Sequence, residues 1–183
     1  YDVANSAFSL VMITAVFPLY FAGVIAKDEV AGSADALWGT AIAAAMAVVA
    51  ISSPLVGALA DRRRWRKQLL AVYVVVGVAA TAATAWLEPG QVAWALTLLI
   101  VANIAFEGGL VFYDALLPGI VETRRIGRWS GVGWGLGYLG SMVCLVVCVP
   151  WVEAGQFDRV FLLVALWWLV WSMPLFVCVP DRI

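Results

Sequence analysis

GALADRRRWRKQLL, residues 57–70, sets five cations (Arg62, Arg63, Arg64, Arg66 and Lys67) between two apolar runs. Such a cluster has three readings: a nucleic-acid patch, a localisation signal, or a short loop held at one face of a membrane. The surrounding chain separates them. Its 183 residues are 64% hydrophobic and 13% charged, against about 25% charged in a soluble domain. A water-soluble domain of roughly 150 residues buries only about 70% of its surface, so this chain would expose a broad apolar area to water. Lipid tails solvate that area instead. The ten Trp, five Tyr and eight Phe suit a bilayer protein, because Trp and Tyr concentrate at the lipid–water boundary.

Six stretches reach the length of about 20 apolar residues that a helix needs to cross roughly 30 Å of hydrocarbon. They are 3–25, 37–60, 68–87, 91–113, 129–151 and 160–179. A backbone in lipid must satisfy its own hydrogen bonds, so helices are the required form. The expected fold class is an all-α membrane protein with six transmembrane helices. Gly32-Ser33, Pro89-Gly90, Pro118-Gly119 and Pro180 are the expected breakers. With the first residue in the cytoplasm and spans alternating, Arg62, Arg63, Arg64, Arg66, Lys67, Arg124, Arg125, Arg128 and Arg182 fall inside. Only Lys27 and Arg159 fall outside. The reverse topology inverts this bias, so both ends are expected in the cytoplasm, in a bacterial-type plasma membrane. The cluster at 62–67 is then the inner loop between spans 2 and 3. A nucleic-acid partner is excluded, since no water-exposed basic domain exists to bind one.

The net charge is −1 and there is no His. Cys144, Cys148 and Cys178 lie in apolar runs; the i,i+4 pair lacks two further ligands for a structural zinc site, and all three read as small apolar residues. No nucleophile–base pair, phosphate loop or metal-ligand cluster appears, so neither an enzyme nor a cofactor or metal is expected. The chain opens at Tyr1 inside an apolar helix pattern and reads as a piece of a longer protein.

Gly57, Asp61, Arg62, Arg66 and Lys67 resemble the Gly-x-x-x-Asp-Arg-x-Gly-Arg-Arg signature between spans 2 and 3 of the major facilitator superfamily. Arg64 and Trp65 stand where that signature has Gly and a cation. The stretches YDVANSAF (1–8), YDALLPGI (113–120) and SGVGWGLGYLGS (130–141) look like one branch of it, the permeases related to the vacuolar amino-acid effluxers, or unknown major facilitator family. The resemblance implies that 1–183 is the N-terminal six-helix half of a twelve-span transporter, built as a 3+3 inverted repeat (1–88 and 91–180), with the C-terminal half absent. It also implies that Gly57 permits close helix approach. Asp61 would accept hydrogen bonds from a helix in the other half, and the basic residues would complete a charge network that holds one of two alternating states.

Polar residues inside the spans are the candidate path. Asn5, Ser6, Ser9 and Tyr20 lie within about 60° of Asp2 on a helix of 100° per residue. They either bond neighbouring helices or line a water-filled route. Pro18, deep in the same span, is expected to kink it. In span 4, Asn103, Glu107 and Asp114 share a face. An acid at mid-membrane costs about 2.5–3.5 kcal/mol on insertion scales, so Glu107 is either a protonated group bonded to a neighbouring helix or a proton or substrate-cation site. Gly108 and Gly109 thin the helix beside it. Gly135, Gly137 and Gly140 spell Gly-x-Gly-x-x-Gly, but without a preceding strand the dinucleotide reading fails. Gly131/Gly135 and Gly133/Gly137 are small-x-x-x-small packing pairs. Glu122, Arg124, Arg125 and Arg128 form a second basic stretch, a solvated anchor or an inner gate.

The expected function is a secondary transporter for a small polar solute, with amino-acid efflux implied by the resemblance alone and Glu107 as the candidate for proton coupling. A non-transporting membrane scaffold or sensor is the alternative. The lipid bilayer is a partner under either.

Overall fold

The computed structural model describes residues 1–30, 32–63 and 65–179; Arg64, Pro180 and Arg182 lie outside them. Among the described residues, six helices are long and apolar enough to cross a membrane: α1 (Asp2–Ile25), α2 (Ser33–Arg62), α3 (Arg66–Trp86), α4 (Val92–Ile120), α5 (Thr123–Glu153) and α6 (Phe157–Cys178). No strand occurs among the described residues. Each expected span is present, and several extend past their apolar stretch. Helix α4 runs through Pro118 to Ile120 instead of breaking there. Proline removes one amide only, and Val121 N–H still donates to Leu117 O at 3.1 Å, so the helix closes after the proline. The cations at 62–67 likewise sit mostly on helix ends. Between α2 and α3, Trp65 N–H donates to Ala60 O at 3.0 Å.

Helix α1 departs from regular geometry. Ser9–Ala15 and Phe21–Ile25 are π-helical. Pro18 cannot donate from its nitrogen, and upstream of it the register widens to i→i+5. Thr14 Oγ1 follows that register, donating to Ser9 O at 3.1 Å. The wide turn Ser9–Ala15 stands just upstream of Pro18, where the sequence predicts a kink.

Helix α1 packs on α5 and α6, α4 on α2 and α3, and α3 on α6. In lipid such contacts rest on close fit and dispersion rather than on expulsion of water. Two glycines make the fit. A Cβ on Gly77 would stand 2.5 Å from the Trp168 ring, and one on Gly108 would stand 2.5 Å from the Tyr73 ring. Gly90, with φ +85, turns the chain between α3 and α4, a conformation that costs other residues strain. Its N–H donates to Ile25 O at 2.9 Å, and Tyr20 Oη donates to Leu87 O at 3.1 Å. These bonds tie α1 to the α3–α4 turn at the cation-poor end. At the other end Arg66 and Lys67 reach α4 and the end of α6. Most of α2, including Ile51 and Leu55, and the outer face of α5, including Leu139 and Val146, remain exposed, as helices solvated by lipid or by further helices must.

Candidate functional site

A cavity of about 330 Å³ opens between α1, α4 and α5. Asp2, Asn5, Ser6, Ser9, Leu10 and Thr14 supply its α1 wall, Phe106 and Leu110 its α4 wall, and Trp134, Tyr138, Ser141 and Met142 its α5 wall. By helix register it runs from the cation-rich end to the middle of the bundle. Its deep end coincides with the π-helical turn of α1, which carries Ser9, Leu10 and Thr14. Such turns are over-represented at functional sites, because they present side chains and carbonyls that an α-helix hides.

Two neighbours fix Asp2. Tyr113 Oη, on α4, donates to Asp2 Oδ2 at 2.6 Å, a short bond of the charge-assisted kind. The Tyr113 ring lies 4.7 Å from that of Tyr1. On the α5 side, Gly133 faces the Asp2 carboxylate, and a Cβ on Gly137 would meet Ser6 Oγ at 2.6 Å and Asp2 O at 3.1 Å. A Cβ on Gly140 would meet Val3 Cγ1 at 2.6 Å. Gly133, Gly137 and Gly140 therefore form a groove on α5 into which the polar face of α1 settles. Gly131 and Gly135 face open space. The opposite face of α1 is closed by rings: Phe8 lies 4.9 Å from Trp168, and Phe17 lies 6.0 Å from Phe161.

The remaining polar candidates are distributed. Asn5 is buried and its Oδ1 has no hydrogen-bond partner. Tyr20 is buried at the far end of α1, outside the cavity. On α4, Asn103 is buried, Glu107 is half-buried and Asp114 is exposed; none of the three lines the cavity, although Phe106 beside Glu107 does. Gly108 is occupied by Tyr73, and a Cβ on Gly109 would meet Tyr1 Oη at 3.0 Å. Tyr113, Trp134, Tyr138 and Thr14 are site residues that the sequence reading passed over. A signal for them existed: Trp134, Tyr138 and Ser141 recur at i, i+4 and i+7, the spacing of one helix face.

At the cation-rich end Asp61 Oδ1 accepts from Arg66 Nε at 2.7 Å, and Arg66 Nη1 donates to Ala115 O at 2.9 Å. Lys67 Nζ donates to Val179 O at 2.6 Å. Arg62 is exposed, and a Cβ on Gly57 would meet nothing within 4 Å. Arg125 pairs with Glu122 at 3.4 Å, both well exposed. Arg124 and Arg128 are exposed.

The site is thus a mainly apolar cavity walled by helices long enough to cross a membrane, with polar side chains along α1 and the Asp2 carboxylate among them. Residues 19–127 match the family model described as "Vacuole effluxer Atg22 like". That is more than half of the chain, and the chain belongs to this family of effluxer-like proteins. It is also similar to the "Uncharacterized MFS-type transporter YxiO" of Bacillus subtilis (strain 168), at 33% identity over 196 residues. That alignment covers 100% of this chain and 45% of the relative, so the chain spans less than half of its length. No solved structure matches. The family match begins after the polar stretch Asp2–Ser9, which only the alignment with the whole-chain relative includes.

Proposed function

We propose that this chain is the N-terminal half of a secondary transporter that moves a small polar solute by alternating access. The cavity between α1, α4 and α5 carries the reading, being polar on its α1 wall within an otherwise apolar bundle. A second six-helix half would face it, and the exposed apolar surfaces of α2 and α5 leave room for one. The 3+3 arrangement of 1–88 and 91–180 finds support in the packing. Helix α2 lies on α4 as α5 lies on α1, and α3 meets α6 between them, the pairing that exchange of the two triplets requires. The cation-rich end is the cytoplasmic one, by the positive-inside rule. Amino acids are the solutes that the resemblance to the vacuolar effluxers suggests.

Rocking of one half against the other would expose the cavity to each side in turn. The Asp61–Arg66 pair and the Glu122–Arg128 stretch lie where an inner gate would form. Glu107, half-buried on α4 beside the Phe106 wall, is the candidate for coupling to protons. The test is uptake and counterflow of polar solutes by the full-length protein in proteoliposomes. A solute that exchanges through the wild type should be lost with Asp2→Asn. Glu107→Gln should leave counterflow intact while abolishing uptake driven by a proton gradient. Counterflow unchanged by Asp2→Asn would remove the cavity as the route, and gradient-driven uptake unchanged by Glu107→Gln would remove Glu107 from coupling.

A further inference from the structure

The charge and donor–acceptor balance of the cavity narrows its ligand. Asp2 is the one charged residue in its wall, and no lysine or arginine lines it among the described residues. The rest of the polar lining consists of Asn5, Ser6, Ser9, Thr14, Ser141 and the Trp134 and Tyr138 rings. Asn5 is 4% exposed and borders the cavity, yet its Oδ1 acceptor has no partner. A buried acceptor without a donor is costly, and this one stands one turn from a carboxylate whose Oδ2 is held in place by Tyr113. Carboxylate and serine hydroxyls together accept hydrogen bonds more readily than they give them. Their complement is a group with several donors and a positive charge. Trp134 and Tyr138, with rings 6.1 Å apart on the facing helix, add the aromatic surface that cations favour.

We propose that the cavity binds the ammonium group of an organic amine, with Asp2 as counter-ion, the serine hydroxyls as acceptors, and Trp134 as the aromatic wall. This deepens the transport reading and rests on it only in taking the cavity as the solute site. Nothing in the wall compensates a carboxylate or phosphate, and an uncompensated charge in such a site is strongly disfavoured. This wall therefore favours a cationic group over an anionic one. A zwitterion enters ammonium first, and its carboxylate is met by groups outside this wall. At about 330 Å³ the cavity is at the small end for ligand sites, sized for one amine with a compact apolar body.

The experiment uses the full-length protein in lipid nanodiscs and three probes of matched shape: 2-phenylethylamine, 3-phenylpropionate and phenylalanine. Titration calorimetry should show the amine binding at least about tenfold tighter than the carboxylate, since hydrogen bonds to charged groups are worth that much. Asp2→Asn should abolish the preference, Asp2→Glu should retain most of it, and Trp134→Leu should weaken amine binding about three- to fivefold. If Asp2→Asn does not yield folded protein, the Asp2→Glu and Trp134→Leu results carry the test. Equal or tighter binding of 3-phenylpropionate overturns the proposal, as does no binding of the amine or an amine affinity unmoved by these variants. Flux is read separately in proteoliposomes. Amine binding without flux supports the ligand assignment while removing the transport reading; flux of either probe without amine preference in binding overturns the assignment.

Discussion

Helix α1 makes two contacts of opposite character. Toward α6 it presents Phe8 and Phe17, both fully buried, against Trp168 and Phe161. Toward α5 it presents Asp2, Ser6 and Val3 against Gly133, Gly137 and Gly140. Interlocked rings have one good arrangement, and displacement costs many small dispersion contacts at once. A polar stripe lying on glycines has no interlocking side chains, so a small shift along the helix loses little. One helix is thereby anchored on one side and left to serve as a cavity wall on the other.

The anchored side should be the more sensitive to truncation. Trp168 is fully buried, fills the notch at Gly77 and touches Phe8. Trp168→Ala in the full-length protein should lower stability by on the order of 3 kcal/mol, the low end for aromatic truncation, because lipid competes for the freed surface. Thermal unfolding in detergent reads the loss. A change below about 1 kcal/mol would mean that the α1–α6 contact is not the anchor.

The α5 side should be sensitive to added bulk instead, and only at the glycines that touch α1. Gly137→Ala places a methyl against Ser6 Oγ and the Asp2 carbonyl and should cost about 1–3 kcal/mol, with cavity function falling further. Gly135→Ala meets nothing within 4 Å; it should be neutral or stabilising by up to about 1 kcal/mol through helix propensity. Two substitutions of the same chemistry, half a turn apart, should thus move in opposite directions. Equal effects would show that the α1–α5 contact does not depend on the glycine groove.

This contrast between glycines marks how far the sequence can be read. Length and hydropathy suffice for six helices, because lipid imposes one rule on every span. Small-x-x-x-small spacing identified α5 as a packing helix but assigned Gly131 and Gly135 the same standing as Gly133 and Gly137, since spacing does not reveal which face meets a partner. Asp2, Asn5, Ser6 and Ser9 were legible as one stripe because helix periodicity alone gathers them, and they do border one cavity. Tyr20 satisfies the same periodicity, yet it lies at the far end of α1, past the π-helical turn Ser9–Ala15, and outside the cavity. Tyr113 was hidden for a different reason. Its bond to Asp2 spans 111 positions, and contacts of that range follow from how helices pack rather than from local pattern.

The smallest expected effect concerns the cation-rich end, where two fastenings of α3 reach α4 and the end of α6. Arg66 ties α3 to α4 through Ala115 O, and Lys67 ties α3 to the end of α6 through Val179 O. Arg66→Gln should cost only about 0.5–1 kcal/mol, because the Asp61 side chain is 58% exposed and water replaces much of the pair. Arg66→Lys keeps the charge but not the fork that spans Asp61 and Ala115 at once. It should therefore recover the salt-sensitive part of the loss and not the remainder. Unfolding midpoints of both variants at low and high salt separate the two contributions, since screening weakens the exposed ion pair and leaves the bond to the carbonyl. If Arg66→Gln instead destabilises as much as Trp168→Ala, the anchored side is held by its charged end and not by its rings.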